Sequence, residues 1–143
     1  MAELLGQHRY QLDAKGRIAL PQKYRDELAA GVYLTLGQDG CLFAYPGEEW
    51  ARRSAEVRSA PIGGKEGRNY ARMFFGNAER ADLDGQGRLV IPQNLRTRAG
   101  LSREVVVLGV GERLEIWEAG AWDREEQALV GAYVAGTLRP DTA

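Results

Sequence analysis

The alternation of apolar and polar residues predicts short strands joined by tight turns. Residues 32–37 and 41–46 form one pair of apolar runs, and residues 105–110 and 113–117 form a second pair. A short segment that contains glycine lies between the members of each pair, which is typical of a β-hairpin. Two hairpins are therefore predicted in similar positions of the two halves of the chain.

A further tight turn is predicted near the N-terminus, at residues 13–16. Short strands are predicted on either side of it, over residues 9–12 and 17–20. Asp13 can accept hydrogen bonds from backbone amides of the turn, and Gly16 can adopt the positive φ that such turns require. Both residues are expected to shape this loop.

Amphipathic helices follow the strands. Pro21 has no amide hydrogen and suits the first position of a helix, so a short helix is predicted over residues 22–29. Longer helices are predicted over residues 48–58, 68–76 and 121–134. The last of these carries five apolar residues on one stripe, which are Trp122, Leu129, Val130, Tyr133 and Val134.

The chain contains nearly the same phrase twice. Residues 13–25 read DAKGRIALPQKYR, and residues 84–96 read DGQGRLVIPQNLR. The identical positions are Asp13 and Asp84, Gly16 and Gly87, Arg17 and Arg88, Pro21 and Pro92, Gln22 and Gln93, and Arg25 and Arg96. With a one-residue insertion the likeness extends to internal repeats over about residues 6–60 and 77–134.

Each repeat is predicted to fold as a β-β-α-β-β unit. A unit of roughly seventy residues with two hairpins and one short helix is marginal as a separate core. Two units in one chain can share strands and bury each other's apolar faces. We therefore predict an α+β fold, mainly β in its core, in which residues 1–143 form a single pseudo-twofold domain that displays two similar loops.

The overall composition is that of an ordinary globular protein, so charge is informative mainly through its distribution. The 143 residues are 44% hydrophobic and 27% charged, with a formal net charge of −1. Five basic residues against one acid give +4 over residues 9–25, and four against two give +2 over residues 80–98. Seven acids against two arginines give −5 over residues 104–126. Positive charge therefore collects on the repeated phrases.

Nothing in the sequence predicts a membrane or secreted protein. Residues 1–6 lack the basic and apolar regions of a signal peptide, and the longest apolar run, residues 105–108, is too short to span a bilayer. The single cysteine, Cys41, cannot form an internal disulfide and is expected to be a small apolar core residue. We expect a cytoplasmic protein without membrane contact, with a loose tail over residues 138–143.

The arginines of the repeated loops admit two interpretations. A turn needs only aspartate and glycine, so the arginine that follows could simply pair with the aspartate. However, Arg17 and Arg88 each follow a glycine directly, and cations fixed on two hairpin tips suit duplex DNA, whose phosphates and guanine edges they can bind. On this interpretation Lys15 adds phosphate affinity in the first loop, where the second loop has Gln86.

The acidic residues of the loops need a separate role. Asp13 and Asp84 would repel phosphate if they faced DNA. We therefore expect both to hold the turn and orient the following arginine, while Gly16 and Gly87 supply the positive φ.

Residues suited to catalysis or metal binding are scarce. His8 is the only histidine and Cys41 the only cysteine, too few for a catalytic triad or a zinc site. Residues 82–93 imitate the start of a calcium-binding EF-hand loop, but the twelfth position is Gln93 rather than glutamate. We therefore predict neither an enzyme nor a bound metal, cofactor or small-molecule substrate.

The repeated motifs resemble the MraZ family. The resemblance rests on two D-x-x-x-R motifs, which begin at Asp13 and Asp84, each followed by a proline-led helix. Further matches are Leu36-Gly37, Leu108-Gly109, Trp50 and the segment LEIWEAGAW at residues 114–122. The likeness covers the chain from about residue 6 to residue 134.

The resemblance implies two tandem AbrB-like units that form a pseudo-twofold swapped-hairpin barrel. It also implies a sequence-specific regulator, expected to be a repressor, of the bacterial division and cell-wall gene cluster. Such a regulator would bind direct repeats in double-stranded DNA upstream of its own operon, as a nucleoid-associated homo-oligomeric ring. By position, the D-x-x-x-R residues carried over are Asp13, Arg17, Asp84 and Arg88. The alternative is an AbrB-like antitoxin or protein-interaction module without specific DNA binding, in which the same arginines bind acidic protein surfaces.

Overall fold

The two halves of the chain fold with the same order of strands and helices. The computed structural model describes residues 2–61 and 63–140, so the last three residues of the expected loose tail lie outside the described residues. In chain order the elements are β1 (Gln7–Gln11), β2 (Arg17–Ala19), α1 (Gln22–Leu28), β3 (Val32–Leu36), β4 (Leu42–Pro46), α2 (Gly47–Ser59), α3 (Lys65–Gly76), β5 (Glu79–Ala81), β6 (Arg88–Val90), α4 (Gln93–Arg98), β7 (Glu104–Gly109), β8 (Leu114–Glu118) and α5 (Ala119–Val134). A 3-10 turn, Gln38–Gly40, joins β3 to β4. The α+β prediction is confirmed.

Three elements begin earlier than periodicity alone predicts, and for two of them capping or strand pairing gives the reason. α5 begins at Ala119, two residues before the predicted start, because the Glu118 carboxylate accepts hydrogen bonds from N–H groups two and three residues later at 2.8 and 2.9 Å. α3 begins at Lys65, three residues earlier than predicted, and includes Gly67 in its first turn. β1 begins at Gln7, two residues earlier than predicted, where its pairing with β7 begins.

Strands of one repeat pair with strands of the other. Six strands form an antiparallel sheet in the order β1-β7-β8-β4-β3-β5, while β2 and β6 form a separate two-stranded ribbon. The first repeat therefore lends β1 to β7 of the second repeat, and the second lends β5 to β3 of the first. The turn at residues 13–16 links two strands with different partners instead of closing a simple hairpin. This exchange confirms the swapped-hairpin arrangement.

The strand registers relate the two repeats by a pseudo-twofold axis. In the β2–β6 ribbon Ile18 pairs with Leu89, its equivalent in the other repeat. At the centre of the large sheet Phe43 of β4 pairs with Glu115 of β8, which are also repeat equivalents. The ribbon therefore lies on the axis, and the two loops that flank it are related by the same axis.

Both repeats contribute to one core. Ile18 and Leu89 of the ribbon and Leu42 of the large sheet are completely buried in the same cluster. Tyr24 and Leu28, four residues apart on α1, are buried there as well. Burial of a side chain of leucine size contributes about 1.5–3 kcal/mol. Much of the free energy of folding therefore depends on contacts between the repeats.

The predicted apolar stripe of α5 is covered over only part of its length. Trp122 packs against Trp117 with ring centroids 5.3 Å apart. Val130, Tyr133 and Val134 are 56%, 71% and 81% exposed. We call these last three residues the α5 apolar surface. The N-terminal half of α5 thus packs on the sheet, whereas its C-terminal half presents apolar side chains to solvent.

Candidate nucleic-acid interface

Asp13 organises the first loop through three hydrogen bonds. Its Oδ1 atom accepts from the backbone N–H groups of Lys15 and Arg17, both at 2.9 Å. Its Oδ2 atom accepts from Nε of Arg17 at 2.6 Å. Gly16 has a φ of +74° and donates its N–H to the Asp13 carbonyl at 3.0 Å. The carboxylate thus fixes both the backbone of the turn and the direction of the Arg17 side chain.

The second loop has the same geometry. Asp84 accepts from the N–H groups of Gln86 and Arg88 at 2.9 Å each, and from Nε of Arg88 at 2.7 Å. Gly87 has the same φ as its equivalent, +74°. The side chains of Arg17 and Arg88 are 26% and 27% exposed. The loops therefore hold two equivalent arginines in equivalent settings.

Backbone N–H groups stabilise the charged form of both aspartates. The N–H of Arg17 is the largest cause that lowers the pKa of Asp13 to about 2, and the Arg17 side chain and the N–H of Lys15 add to it. The pKa of Asp84 is lowered in the same way, chiefly by the N–H of Arg88. Both carboxylates are ionised at neutral pH, so each holds its arginine through a charge-assisted hydrogen bond.

The two arginines lie on one outward surface of the ribbon. Side chains alternate along a strand, so the central residue of each ribbon strand points into the core and its neighbours point outward. The outward residues are Arg17, Ala19, Arg88 and Val90. Arg17 lies opposite Val90, and Arg88 lies opposite Ala19. We call this surface the ribbon face; it brings together arginines that are 71 positions apart in the sequence.

Each loop packs against an arginine of the other repeat. Arg96 of α4 lies across Gly16, where a Cβ atom would come within 2.4 Å of Nη1 of Arg96. Arg25 of α1 lies across Gly87, where a Cβ atom would come within 2.3 Å of Cδ of Arg25. Both Nε atoms are buried without a hydrogen-bond partner in the described part of the chain. These contacts could not be predicted from the sequence. Its one indication of them is that Arg25 and Arg96 occupy equivalent positions in the two repeats.

The other basic residues near the repeated phrases have diverse surroundings. Lys15 is exposed in the first loop. Arg9 of β1 forms an ion pair with Asp123 of α5. Arg80 of β5 lies over the ring of Tyr33, 5.8 Å from its centroid. Arg9 and Arg80 occupy equivalent positions in the two repeats but have different partners. Each connects an exchanged strand, β1 or β5, to a neighbouring element.

The single cysteine and the single histidine both pack against other side chains of the fold. Burial raises the pKa of the Cys41 thiol, which is completely buried, as expected of a core residue. His8 packs edge-on against Tyr24 with ring centroids 5.5 Å apart. Within residues 2–61 and 63–140, no three or more His, Cys, Asp or Glu side chains come together in a group that could hold a metal ion. Over the same residues, no helix is long and apolar enough to cross a membrane.

Comparison with known proteins identifies a family for most of the chain. The family profile described as "MraZ protein, putative antitoxin-like" matches residues 4–72 and 74–132. A relative from Thermobifida fusca (strain YX), named transcriptional regulator MraZ, is 49% identical over 138 residues, or 95% of this chain and 96% of the relative. Relatives of the same name from Clavibacter michiganensis subsp. michiganensis and Acetivibrio thermocellus are 48% and 44% identical, over 90% and 82% of each chain.

These matches confirm the resemblance seen in the repeated motifs. The profile match falls on both repeats, and the relatives share close to half of their residues with this chain over most of its length. Transcriptional regulation is a non-enzymatic activity, so the prediction that the protein is not an enzyme is confirmed by its relatives. The chain belongs to the MraZ family of transcriptional regulators.

Proposed function

We propose that this regulator binds double-stranded DNA sequence-specifically through the ribbon face. One observation carries the proposal: Arg17 and Arg88, each held by an aspartate, lie on the same outward surface of a two-stranded ribbon. Duplex DNA offers both phosphates and guanine edges to such a pair of cations. In this role Asp13, Gly16, Asp84 and Gly87 shape the loops and do not contact DNA.

The dimensions of the ribbon suit a DNA major groove. Paired strands lie about 4.8 Å apart, and the major groove is about 12 Å wide, so a two-stranded ribbon can enter it. The two loops flank the ribbon and would lie close to the phosphates at the groove edges. Lys15, exposed in the first loop, would contact a phosphate there.

The aspartates leave the ends of the guanidinium groups available to a base. Asp13 accepts from Nε of Arg17, and Asp84 accepts from Nε of Arg88. Within the described part of the chain, the two arginine side chains donate hydrogen bonds to these carboxylates alone, each through Nε. Nη1 and Nη2 can then donate together to O6 and N7 of a guanine. An arginine that is already held loses less conformational entropy on binding.

Several subunits are proposed to act together on successive direct repeats upstream of the protein's own operon. One ribbon face presents only two arginines, so useful affinity requires neighbouring sites at high effective concentration. The regulated genes would be the bacterial division and cell-wall cluster, with repression as the direction of control. A protein that acts on the chromosome in this way is cytoplasmic and nucleoid-associated.

We also propose that each chain acts as one domain. Its internal repeats, over about residues 6–60 and 77–134, exchange β1 and β5 and share a core. Separation of the repeats would leave β1, β2, β5 and β6 without their partners and expose the apolar faces that they bury.

A homo-oligomeric ring would bring the subunits together. The α5 apolar surface is exposed, and a separate groove of about 390 Å³ is lined by Leu36, Tyr70, Met73 and Phe74 with neighbouring polar residues. Insertion of one subunit's α5 surface into the next subunit's groove would be a head-to-tail contact, which forms a ring when the rotation closes. No membrane or small-molecule partner is needed for this function.

The second candidate is a protein-interaction module or antitoxin without specific DNA binding. It is favoured by the same α5 apolar surface, since exposed apolar side chains suit a protein partner. Salt distinguishes the two candidates. Binding through several phosphates weakens by orders of magnitude between about 50 and 200 mM salt, whereas an apolar protein contact changes little.

Fluorescence anisotropy tests the proposal directly. A labelled duplex from upstream of the protein's own operon is compared with a shuffled duplex at low and high salt. We expect tight, salt-sensitive binding to the native duplex alone. Arg17→Ala is expected to lose most of this binding. Arg58→Ala is its matched control, because it removes one exposed arginine from α2, outside the ribbon face. Equal binding to both duplexes, or none, would refute sequence-specific recognition.

A further inference from the structure

Val90 is an exposed, branched apolar residue on the ribbon face, which it shares with Ala19 and two arginines. It is 39% exposed on the ribbon face, although its sequence neighbours Leu89 and Ile91 are completely buried. Its equivalent in the first repeat is Ala19, so the two halves of the ribbon face differ at this position. A β-branched side chain suits a strand, but this one points away from the core that its neighbours fill.

The strand register sets Val90 beside Arg17. The two residues are partners across the ribbon, and Ala19 and Arg88 are the equivalent partners. Side chains directly opposite each other on one face of a strand pair have Cβ atoms about 4.5–5.5 Å apart. One half of the ribbon face therefore combines an arginine with a branched apolar side chain, and the other half combines an arginine with a single methyl group.

The more basic loop lies in the same half as Val90. Lys15 precedes Arg17 by two residues, whereas the equivalent residue before Arg88 is Gln86. Both of these loop residues are exposed. Val90 and Lys15 thus both lie in the half of the ribbon face that contains Arg17. The two halves of this pseudo-symmetric surface therefore differ in both apolar contact and charge.

We infer that Val90 contacts the C5-methyl group of a thymine next to the guanine bound by Arg17. The thymine methyl is the apolar group on the major-groove edge of the bases. Successive bases along a strand are roughly 3.4 Å apart, somewhat less than the spacing of opposite side chains, so a residue beside Arg17 can reach the adjacent base pair. Ala19 ends at its Cβ and extends less far from the ribbon. The inference rests on the proposed DNA binding by the ribbon face.

Deoxyuridine tests this contact, because it lacks only the methyl group of thymine. Each thymine in the bound repeats of the upstream duplex is replaced in turn, and affinity for the full chain is measured by fluorescence anisotropy. For the unaltered protein we expect one thymine, adjacent to a guanine, at which replacement weakens binding about threefold to tenfold. Val90→Ala should bind the thymine duplex as weakly as the unaltered protein binds that deoxyuridine duplex, and should not distinguish the two.

Ala19→Val provides the matched gain of contact. It adds a branched side chain beside Arg88 without removing any group, so it is expected to create a thymine preference in the other half of the site. It also supplies a second test if Val90→Ala lowers stability. Equal discrimination between thymine and deoxyuridine by Val90→Ala and the unaltered protein would overturn the inference while specific binding persisted. If the unaltered protein showed no salt-sensitive, sequence-specific DNA binding, the proposed function would be overturned as well.

Discussion

Arg96 lies across Gly16, so a loop of the first repeat is covered by a helix residue of the second. A Cβ atom at Gly16 would come within 2.4 Å of Nη1 and 2.8 Å of Nε of Arg96. The equivalent contact joins Arg25 to Gly87. The geometry of each loop therefore depends on both repeats, and a change in one helix acts on the loop of the other repeat.

Gly16→Ala is expected to destabilise the protein for two reasons that a control can separate. A positive φ costs an alanine about 1–2 kcal/mol, and the new methyl group also displaces Arg96. Gly40→Ala is the control, because Gly40 has a φ of +85° and nothing within 4 Å of a Cβ atom. Urea unfolding should show the larger loss for Gly16→Ala. In an Arg96→Ala background, Gly16→Ala and Gly40→Ala should lower the free energy of unfolding by the same amount. A persistent difference would contradict this account.

Arg17→Ala and Arg88→Ala are expected to lose most specific DNA binding while the fold survives. A partly exposed Arg–Asp pair contributes little to stability, whereas a bidentate guanine contact contributes about 1–3 kcal/mol of discrimination between bases. Anisotropy titrations and thermal melts of the same preparations measure both quantities. A large fall in the melting temperature with unchanged DNA affinity would instead support a purely local role for the arginines.

The ionisation of Asp13 is expected to make stability depend on acid pH. Its folded pKa is about 2, below the ordinary aspartate value of 3.8, chiefly because it accepts a hydrogen bond from the Arg17 N–H. A lowered folded pKa stabilises the protein above the unfolded pKa, and that stabilisation is lost as the pH falls from about 4 to 2. The stability difference between the unaltered protein and Asp13→Asn should therefore shrink over this range in urea titrations. Asp84→Asn should show a trend in the same direction, because the N–H of Arg88 lowers the pKa of Asp84 in the equivalent loop.

Lys15→Gln is expected to lower the salt dependence of DNA binding. The plot of log K against log salt has a negative slope, and each lost phosphate contact makes it less steep by about 0.9. Gln86→Lys should make it steeper by a similar amount if the second loop also approaches a phosphate. Anisotropy over a series of salt concentrations gives both slopes. An unchanged slope for Lys15→Gln would mean that the first loop does not contact the DNA backbone.

Tyr133→Ser and Met73→Ser are each expected to prevent ring assembly. Tyr133 belongs to the α5 apolar surface, and Met73, 49% exposed, lines the groove. If the contact is head-to-tail, a mixture of the two variants retains one intact surface of each kind and should form dimers but no rings. Analytical ultracentrifugation of each variant and of the mixture measures this. Gln127→Ser, an exposed polar change on α5, is the control. Rings formed by either single variant would refute this interface.

The local chemistry of the site was predictable, whereas its tertiary contacts were not. Asp13, Gly16 and Arg17 could be identified because turn preferences act over a few residues, and the second copy repeated the same signal. The pairing of Gln7 with Leu108 could not, because it joins segments about a hundred residues apart that no short-range pattern connects. The position of Arg96 over Gly16 likewise depends on a long-range pairing, that of β2 with β6. Repetition thus indicated the fold, while the partners of each strand required the structure.

The pairing of Ile18 with Leu89 also bears on how the binding surface could diversify. A ribbon of this kind made by two identical chains would change at both strands with every mutation. Here the strands belong to one polypeptide, so a mutation alters one strand and leaves the other as it was. Lys15 and Gln86, or Ala19 and Val90, are differences that a dimer encoded by a single short gene could not carry. Covalent linkage of the repeats thereby frees the two sides of one ribbon to evolve separately.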